Sequence, residues 1–188
     1  MFKVKKMTTM AMLIALSVIL IYTIRFPIIP SAPFLEYEPA DIPIIIGALI
    51  YGTVNGLILT VVASFIQALT VSSASGWIGF VMHVLSTGTL VLVSSTIYHR
   101  IRSFKGLVIG LILSCFAMTL VMVPTNLFFT VKFLGVPYEA VKSMLIPAII
   151  PFNLLKSIIN SVAIGFVYKG IRVVIKEKSH NMTIKHNV

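Results

Sequence analysis

The stretch Ile42–His99, IPIIIGALIYGTVNGLILTVVASFIQALTVSSASGWIGFVMHVLSTGTLVLVSSTIYH, runs 58 residues without an Asp, Glu, Lys or Arg. In a soluble domain about one residue in four is charged, so a gap of this length does not fit a chain folded in water. Three further runs behave the same way. Met7–Ile24 has 18 residues and no charge, Gly106–Val131 has 26 and no charge, and Ser143–Tyr168 has 26 interrupted only by Lys156. A bilayer-spanning helix needs about 20 predominantly apolar residues. The chain therefore reads as one all-α integral membrane domain with no soluble module attached.

The whole composition agrees. Of 188 residues, 58% are hydrophobic and 11% charged, and the mean hydropathy is +1.04. These values exclude an ordinary soluble enzyme or nucleic-acid-binding domain. The formal charge of +10, from 15 Lys and Arg against 5 Asp and Glu, would suggest nucleic acid on a soluble chain. On an apolar chain it points instead to the excess of basic residues that cytoplasmic loops carry.

Breakers divide the long run at Gly52 with Asn55-Gly56 and again at Ser72–Gly76. With both cuts the expected spans are 7–24, 41–52, 55–71, 77–98, 106–131 and 145–169, followed by a basic tail at 170–188. Six transmembrane helices place both termini in the cytoplasm. Eleven of the 15 basic residues then fall on the cytoplasmic face, three fall outside, and Lys156 lies within a span. Five helices would put most of the basic residues outside, against that rule. Met7–Ile24 exceeds the usual core of a signal peptide and lacks a small-x-small cleavage site, so it reads as the first retained helix. The short second helix must be tilted, shielded or extended into its loops.

Several chemistries lack their residues. The sequence has no GxxxxGK[ST] phosphate loop, no HExxH and no GxSxG. Cys115 is the single cysteine, set in an apolar span, and reads as a small filler. No catalytic residue, cofactor or metal ligand is assigned.

The informative residues are the ones that cost free energy in a membrane. Lys156 stands early in the last helix, where an ionisable side chain costs at least about 2.5–3.5 kcal/mol at the helix centre unless paired or hydrated. Asn153 lies on the same helical face at i, i+3, and Asn160 follows at i+7 from Asn153. An amide with donors and an acceptor beside an ammonium with three donors suits the polar edge of a flat, imide-like heterocycle. Asn126 follows Pro124 in the fifth helix, and fits either a pocket wall or an interhelical hydrogen bond. Glu36, Glu38 and Asp41 crowd into the loop 25–40, which five prolines up to Pro43 make stiff. With Phe34, Leu35 and Tyr37 beneath it, this loop is expected to be an extracellular lid between helices 1 and 2. Asp41 also reads as an N-cap. His83 and Gln67 are polar groups that could face a cavity. Ala11 and Ala15, at i and i+4, form a small-xxx-small surface for a neighbouring helix.

These residues resemble a known pattern. Leu35-Glu36-Tyr37-Glu38-Pro39-Ala40-Asp41-Ile42-Pro43, with Gly47, Tyr51, Gly52 and Gly56, resembles the loop and second-helix signature of riboflavin S components. Those are the substrate-binding subunits of energy-coupling factor (ECF) vitamin transporters. Pro151-Phe152-Asn153-Leu154-Leu155-Lys156 is similar to the final-helix motif of that family. The resemblance covers roughly residues 7–172. It implies a six-helix bundle that binds riboflavin as transported ligand, without chemistry, in the cell membrane. It assigns Asn126, Asn153 and Lys156 to the ligand's polar edge; Glu38, Asp41 and His83 are candidate further contacts from the reading of the residues themselves. It implies one coupling subunit and two cytoplasmic ATPases as partners, docked through Ala11 and Ala15. The chain departs from the family at Thr60–Ser64, where a charged or amide pair is common, and at His83, where Asn is common. FMN, roseoflavin, thiamine or another vitamin remain alternative ligands. An intramembrane enzyme built on His83 and Ser86 is a remoter alternative, and so is a structural membrane protein that binds nothing.

Overall fold

The computed structural model describes the backbone of residues 2–186 and the side chains of residues 4–170. Its elements are α1 (Phe2–Thr23), β1 (Phe26–Pro27), β2 (Glu36–Tyr37), α2 (Asp41–Tyr51), α3 (Thr53–Leu69), α4 (Gly76–Ile101), α5 (Phe104–Leu134), α6 (Tyr138–Ser143), a π-helical turn (Leu145–Ile149) and α7 (Ile150–His186). The side chains of the expected basic tail beyond Gly170 lie outside the described residues.

The expectation of six transmembrane helices is corrected. Among the described residues, four segments are long and apolar enough to cross a bilayer: Val4–Thr23, Gly76–Ile101, Phe104–Leu134 and Leu145–Gly170. The helices expected as second and third spans have 11 and 17 residues. At about 1.5 Å per residue, α2 rises only ~16 Å against a hydrocarbon core of ~30 Å. The assignment of both termini and of the first loop to particular sides of the membrane rested on six crossings, and is set aside with them.

The short helices are shielded by their neighbours. Eight of the eleven residues of α2 are buried, including Ile44, Ile45, Ala48 and Leu49. They pack with Leu59, Leu90, Val91, Leu107, Leu111, Met118 and Ile164 in the main apolar core. A single residue, Gly52, joins α2 to α3 at φ 95° and ψ 162°. That conformation is essentially confined to glycine, and it turns the chain sharply between the two helices. Close backbone approach completes the packing. A Cβ on Gly56 would strike Ala48 and Val91, and one on Gly110 would lie 2.7 Å from the Ser94 carbonyl oxygen.

The outside of the bundle is apolar and much of the inside is polar. Phe116, Leu120 and Phe166 are exposed, while Ser114, Thr119, Thr125, Asn126 and Thr130 of α5 are buried. This is the reverse of a domain folded in water, and it suits a protein whose solvent is lipid.

The loop between α1 and α2 is ordered by pairing at its ends and by an apolar seat. Phe26 and Tyr37 pair across the antiparallel β1–β2 ribbon, as do Pro27 and Glu36. Ala32 and Leu35 pack with Val141, Ala148, Ile149 and Phe152 in a second cluster. The loop is thereby held against the start of α7.

Candidate functional site

Phe34, Leu35, Glu36 and Glu38 of the loop, with residues of α3, α4, α5 and α7, line a cavity of about 160 Å³. Its polar wall includes Glu38, Gln67, His83, Asn126, Asn153 and Lys156. A vestibule of about 380 Å³ shares Arg25, Phe34, Glu36, Met82 and Asn126 with it and adds Phe133. Ligand sites run to roughly 300–1,000 Å³, so a ligand of that class needs both chambers.

Asn153 and Lys156 reach the cavity from the first turns of α7, directly after the π-helical turn that contains Pro147. Such irregular turns are frequent beside functional sites. The Asn153 amide donates to the Ile149 carbonyl at 2.7 Å, which fixes its orientation and leaves its oxygen and a second N–H for a ligand. Asn126 is fixed in the same manner from α5. It donates to Met122 O at 2.8 Å and accepts from Thr130 Oγ1 at 2.9 Å. The α5 backbone near it contains Pro124, which withholds one helical hydrogen bond.

The Lys156 ammonium is buried and paired. Its Nζ lies 3.3 Å from Glu38 Oε1. His83 Nε2 lies 3.4 Å from the same oxygen and 3.8 Å from Asp41 Oδ1. Burial pushes the Glu38 carboxyl up, but the Lys156 ammonium and the His83 ring outweigh it and hold Glu38 down at about 2. Glu38 is therefore a carboxylate at neutral pH.

Asp41 sits behind the cavity rather than on its wall. Thr87 Oγ1 donates to its Oδ1 at 2.5 Å and Asn160 Nδ2 donates to its Oδ2 at 2.9 Å. Tyr37 OH donates to Asn160 Oδ1 at 3.0 Å. Burial and the neighbouring Asp41 raise the Tyr37 phenol above its usual range, against the pull of Lys156. The N-cap reading of Asp41 is corrected: Ala40 is the cap residue of α2, and no side chain caps that end. The carboxylate is instead spent on tying α2 to α4 and α7.

The structure brings five of the six candidate ligand contacts, Glu38, His83, Asn126, Asn153 and Lys156, to one cavity, with Asp41 one layer out. Ala11 and Ala15 lie elsewhere, exposed on the outer face of α1. Sequence reasoning gave no role to Ser64 and Arg25. Ser64 bonds His83 Nδ1 at 2.7 Å, and Arg25 ties the loop to Glu36 and to the Val71 carbonyl. Thr60, Ser64 and Gln67 are all buried and recur at i, i+4, i+7, a polar stripe that carried the signal for α3. Among the described residues, no group of three His, Cys, Asp or Glu side chains could hold a metal ion.

Comparison with known proteins agrees with this architecture. The family model described as ECF transporter, substrate-specific component, matches residues 5–168. The riboflavin transporter FmnP of Bacillus subtilis is 27% identical over 185 residues, covering 94% of this chain and 96% of its own. The riboflavin transporter RibU of Staphylococcus aureus is 28% identical over 173 residues, covering 89% and 90%. A solved structure of the S component of a bacterial ECF transporter superposes with a TM-score of 0.82 at 28% identity. It covers 93% of this chain and 99% of that one. The chain belongs to the family of ECF transporter substrate-specific components, which makes it a multi-pass membrane transport protein rather than an enzyme.

Proposed function

We propose that this substrate-specific component takes up riboflavin, held in the cavity walled by Asn126, Asn153 and Lys156. The observation that carries the reading is the convergence of these side chains. Two amides locked by their own helices and one ammonium meet on the wall of a single cavity, about 94% or more buried at each position. Such a set offers fixed donors and acceptors to an imide edge, and Phe34 and Phe152 add apolar surface for a flat ring. The relatives named as riboflavin transporters support the same ligand. Riboflavin is then cargo, bound and released unchanged, and not a cofactor.

Family membership implies association with an ECF coupling subunit and an ATPase module, which would supply the nucleotide site that this sequence lacks. Ala11 and Ala15 support α1 as the docking face, since both are exposed and small enough for a helix to approach closely.

The test is the absorption spectrum of the protein as purified, followed by equilibrium dialysis. A flavin spectrum with quenched fluorescence is expected. A colourless protein with no flavin affinity overturns the reading. The Glu38 carboxylate favours a second reading, a cationic vitamin such as thiamine, and a thermal-shift panel of vitamins separates the two.

A further inference from the structure

Away from the ligand cavity, a second hollow of about 430 Å³ opens on the outer, apolar side of the bundle, between α5 and α7. Leu111 and Cys115 of α5 and Ser161 and Gly165 of α7 form its floor. Phe116 and Val162 stand on its rim, each more than half exposed. Cys115 Sγ lies 3.3 Å from Ser161 Oγ, which ties the two helices together across the floor. Gly165 makes the room: no neighbouring atom lies within 4 Å of the place a Cβ would take.

The dimensions point to one kind of occupant. From Leu154 to Gly165 the hollow follows α7 for ~16 Å, at about 1.5 Å per residue. That is about half of a ~30 Å hydrocarbon core, the depth of one leaflet. The mean section is then about 27 Å², against the ~80 Å² filled by a helix ~10 Å in diameter. A partner helix cannot enter a trough of that width, and a hydrocarbon chain can.

Both helices carry the lining face onward into a lysine. Lys105 stands one turn before Val108, and Lys169 one turn after Gly165, each at i, i+3 or i, i+4 spacing. Nζ of Lys169 lies 5.0 Å from the centre of the Phe104 ring, over the turn of α5 that also carries Lys105. Both lysines are exposed, and they stand at the ends of the spans Phe104–Leu134 and Leu145–Gly170, where lipid headgroups begin. Among the described residues neither meets a carboxylate. Glu36, Glu38 and Glu139 pair with Arg25, Lys156 and Lys142, and Asp41 bonds Thr87 and Asn160. Two uncompensated cations above an apolar trough one leaflet deep are complementary to an anion joined to a hydrocarbon chain.

We propose that the hollow between α5 and α7 is a binding site for one anionic phospholipid, its acyl chain laid along Leu111, Cys115 and Gly165 and its phosphate between Lys105 and Lys169. The lipid fills the seam that Gly165 leaves open and bridges the start of α5 to α7.

Contact between a brominated acyl chain and a tryptophan on the rim tests this. Trp77 is the single tryptophan, so the full chain carrying W77F and F116W reports from the hollow alone. It is placed in phosphatidylcholine nanodiscs, and brominated phosphatidylglycerol or brominated phosphatidylcholine is titrated in. A lysine near the surface favours an anionic lipid about fivefold, so two are expected to let phosphatidylglycerol quench at a roughly thirtyfold lower mole fraction. K105Q or K169Q should each lose about fivefold of that preference, and the pair should abolish it. Both positions are exposed, so these variants keep the fold. G165F plugs the hollow and should abolish the preference with both lysines in place. Equal quenching by the two lipids overturns the proposal, as does a preference that survives K105Q with K169Q. A preference that survives G165F also overturns it, because the lysines would then act on the surrounding bilayer without the hollow. Quenching by neither lipid overturns it too, and would mean that protein, such as a second copy of this chain, covers the hollow. No transported cargo enters the measurement.

Discussion

Nζ of Lys156 lies 3.3 Å from Oε1 of Glu38, a side chain 118 positions earlier in the sequence. The ammonium is thus engaged by the protein's own carboxylate. A ligand that bonds Lys156 must share it with Glu38 or displace it.

Removing Lys156 is expected to do two separable things. Lys156→Met deletes a charged donor, and a hydrogen bond of that kind is worth about 1.5–3 kcal/mol, so affinity should fall roughly ten- to a hundredfold. It also strands Glu38, a loss of the order of 3–5 kcal/mol for a broken buried pair. Adding Glu38→Gln should restore thermal stability but not ligand affinity. Unfolding temperature and equilibrium dialysis on both variants check this. Recovery of both properties together would remove Lys156 from the ligand's contacts.

Acid should loosen the loop through Glu38. Its carboxyl sits at about 2 in the folded protein against an ordinary 4.5. A depressed carboxyl binds fewer protons folded than unfolded, so stability is fully present above about 4.5 and declines as pH falls toward about 2. Thermal unfolding in detergent over that interval should show the decline. In Glu38→Gln its slope should be shallower, and an identical slope would mean that other carboxyls carry the effect.

The α4–α5 contact depends on the absence of a side chain. A Cβ at Gly110 would meet backbone atoms of Ser94, at 2.7 Å from the oxygen and 3.2 Å from Cα, and backbone cannot swing aside. Gly110→Ala should destabilise the fold by about 1–3 kcal/mol, the scale of overpacking. Gly165 has open space around its Cβ position, so Gly165→Ala should stabilise α7 by up to ~1 kcal/mol through helix propensity alone. Opposite shifts in unfolding temperature are expected.

Arg25 holds the loop from its exposed end. It donates to Glu36 at 2.6 Å through Nε and to Val71 O at 2.8 Å through Nη1. An exposed ion pair contributes only about 0–1 kcal/mol, so Arg25→Ala should barely move the unfolding temperature. Ligand dissociation should be faster, because the loop would leave the vestibule more often. Stopped-flow displacement measures it, and an unchanged off-rate would mean that the apolar seat of Ala32 and Leu35 alone keeps the loop closed.

Ala11→Trp should leave ligand affinity and stability within error while reducing co-purification with the coupling subunit. Ala11 is exposed and lies outside the ligand cavity, so only an external partner should register the added ring. Undiminished co-purification would move the docking face elsewhere.

Lys156 was legible because a charge in an apolar run has few tolerable places, and spacing alone put Asn153 on its face. The helices were legible for the same reason: breakers such as Gly52 interrupt an otherwise uniform hydrophobic signal. Whether α2 crosses the membrane was not legible. Hydropathy records an apolar segment, and it cannot tell a helix facing lipid from one enclosed by its neighbours. Asp41 misled as a cap because a side chain at a helix start can turn inward instead, here to Thr87 and Asn160. The role of Ser64 was hidden because one hydroxyl in a membrane helix usually bonds its own backbone, as Ser64 also does to Thr60.

The division of the site between the first loop and the last helix bears on when it comes into being. The pairs α2 with α3 and α4 with α5 join neighbours in sequence, and each can pack soon after its second helix emerges from the ribosome. Glu38, Asp41 and Tyr37 must wait for Lys156 and Asn160, which are made after more than a hundred intervening residues. A nascent chain stopped after α5 would therefore hold most of its helices and no binding site. During synthesis Glu38 lacks Lys156 and Asp41 lacks Asn160 until the final helix arrives, so its arrival at once completes the fold and makes the protein able to bind its cargo.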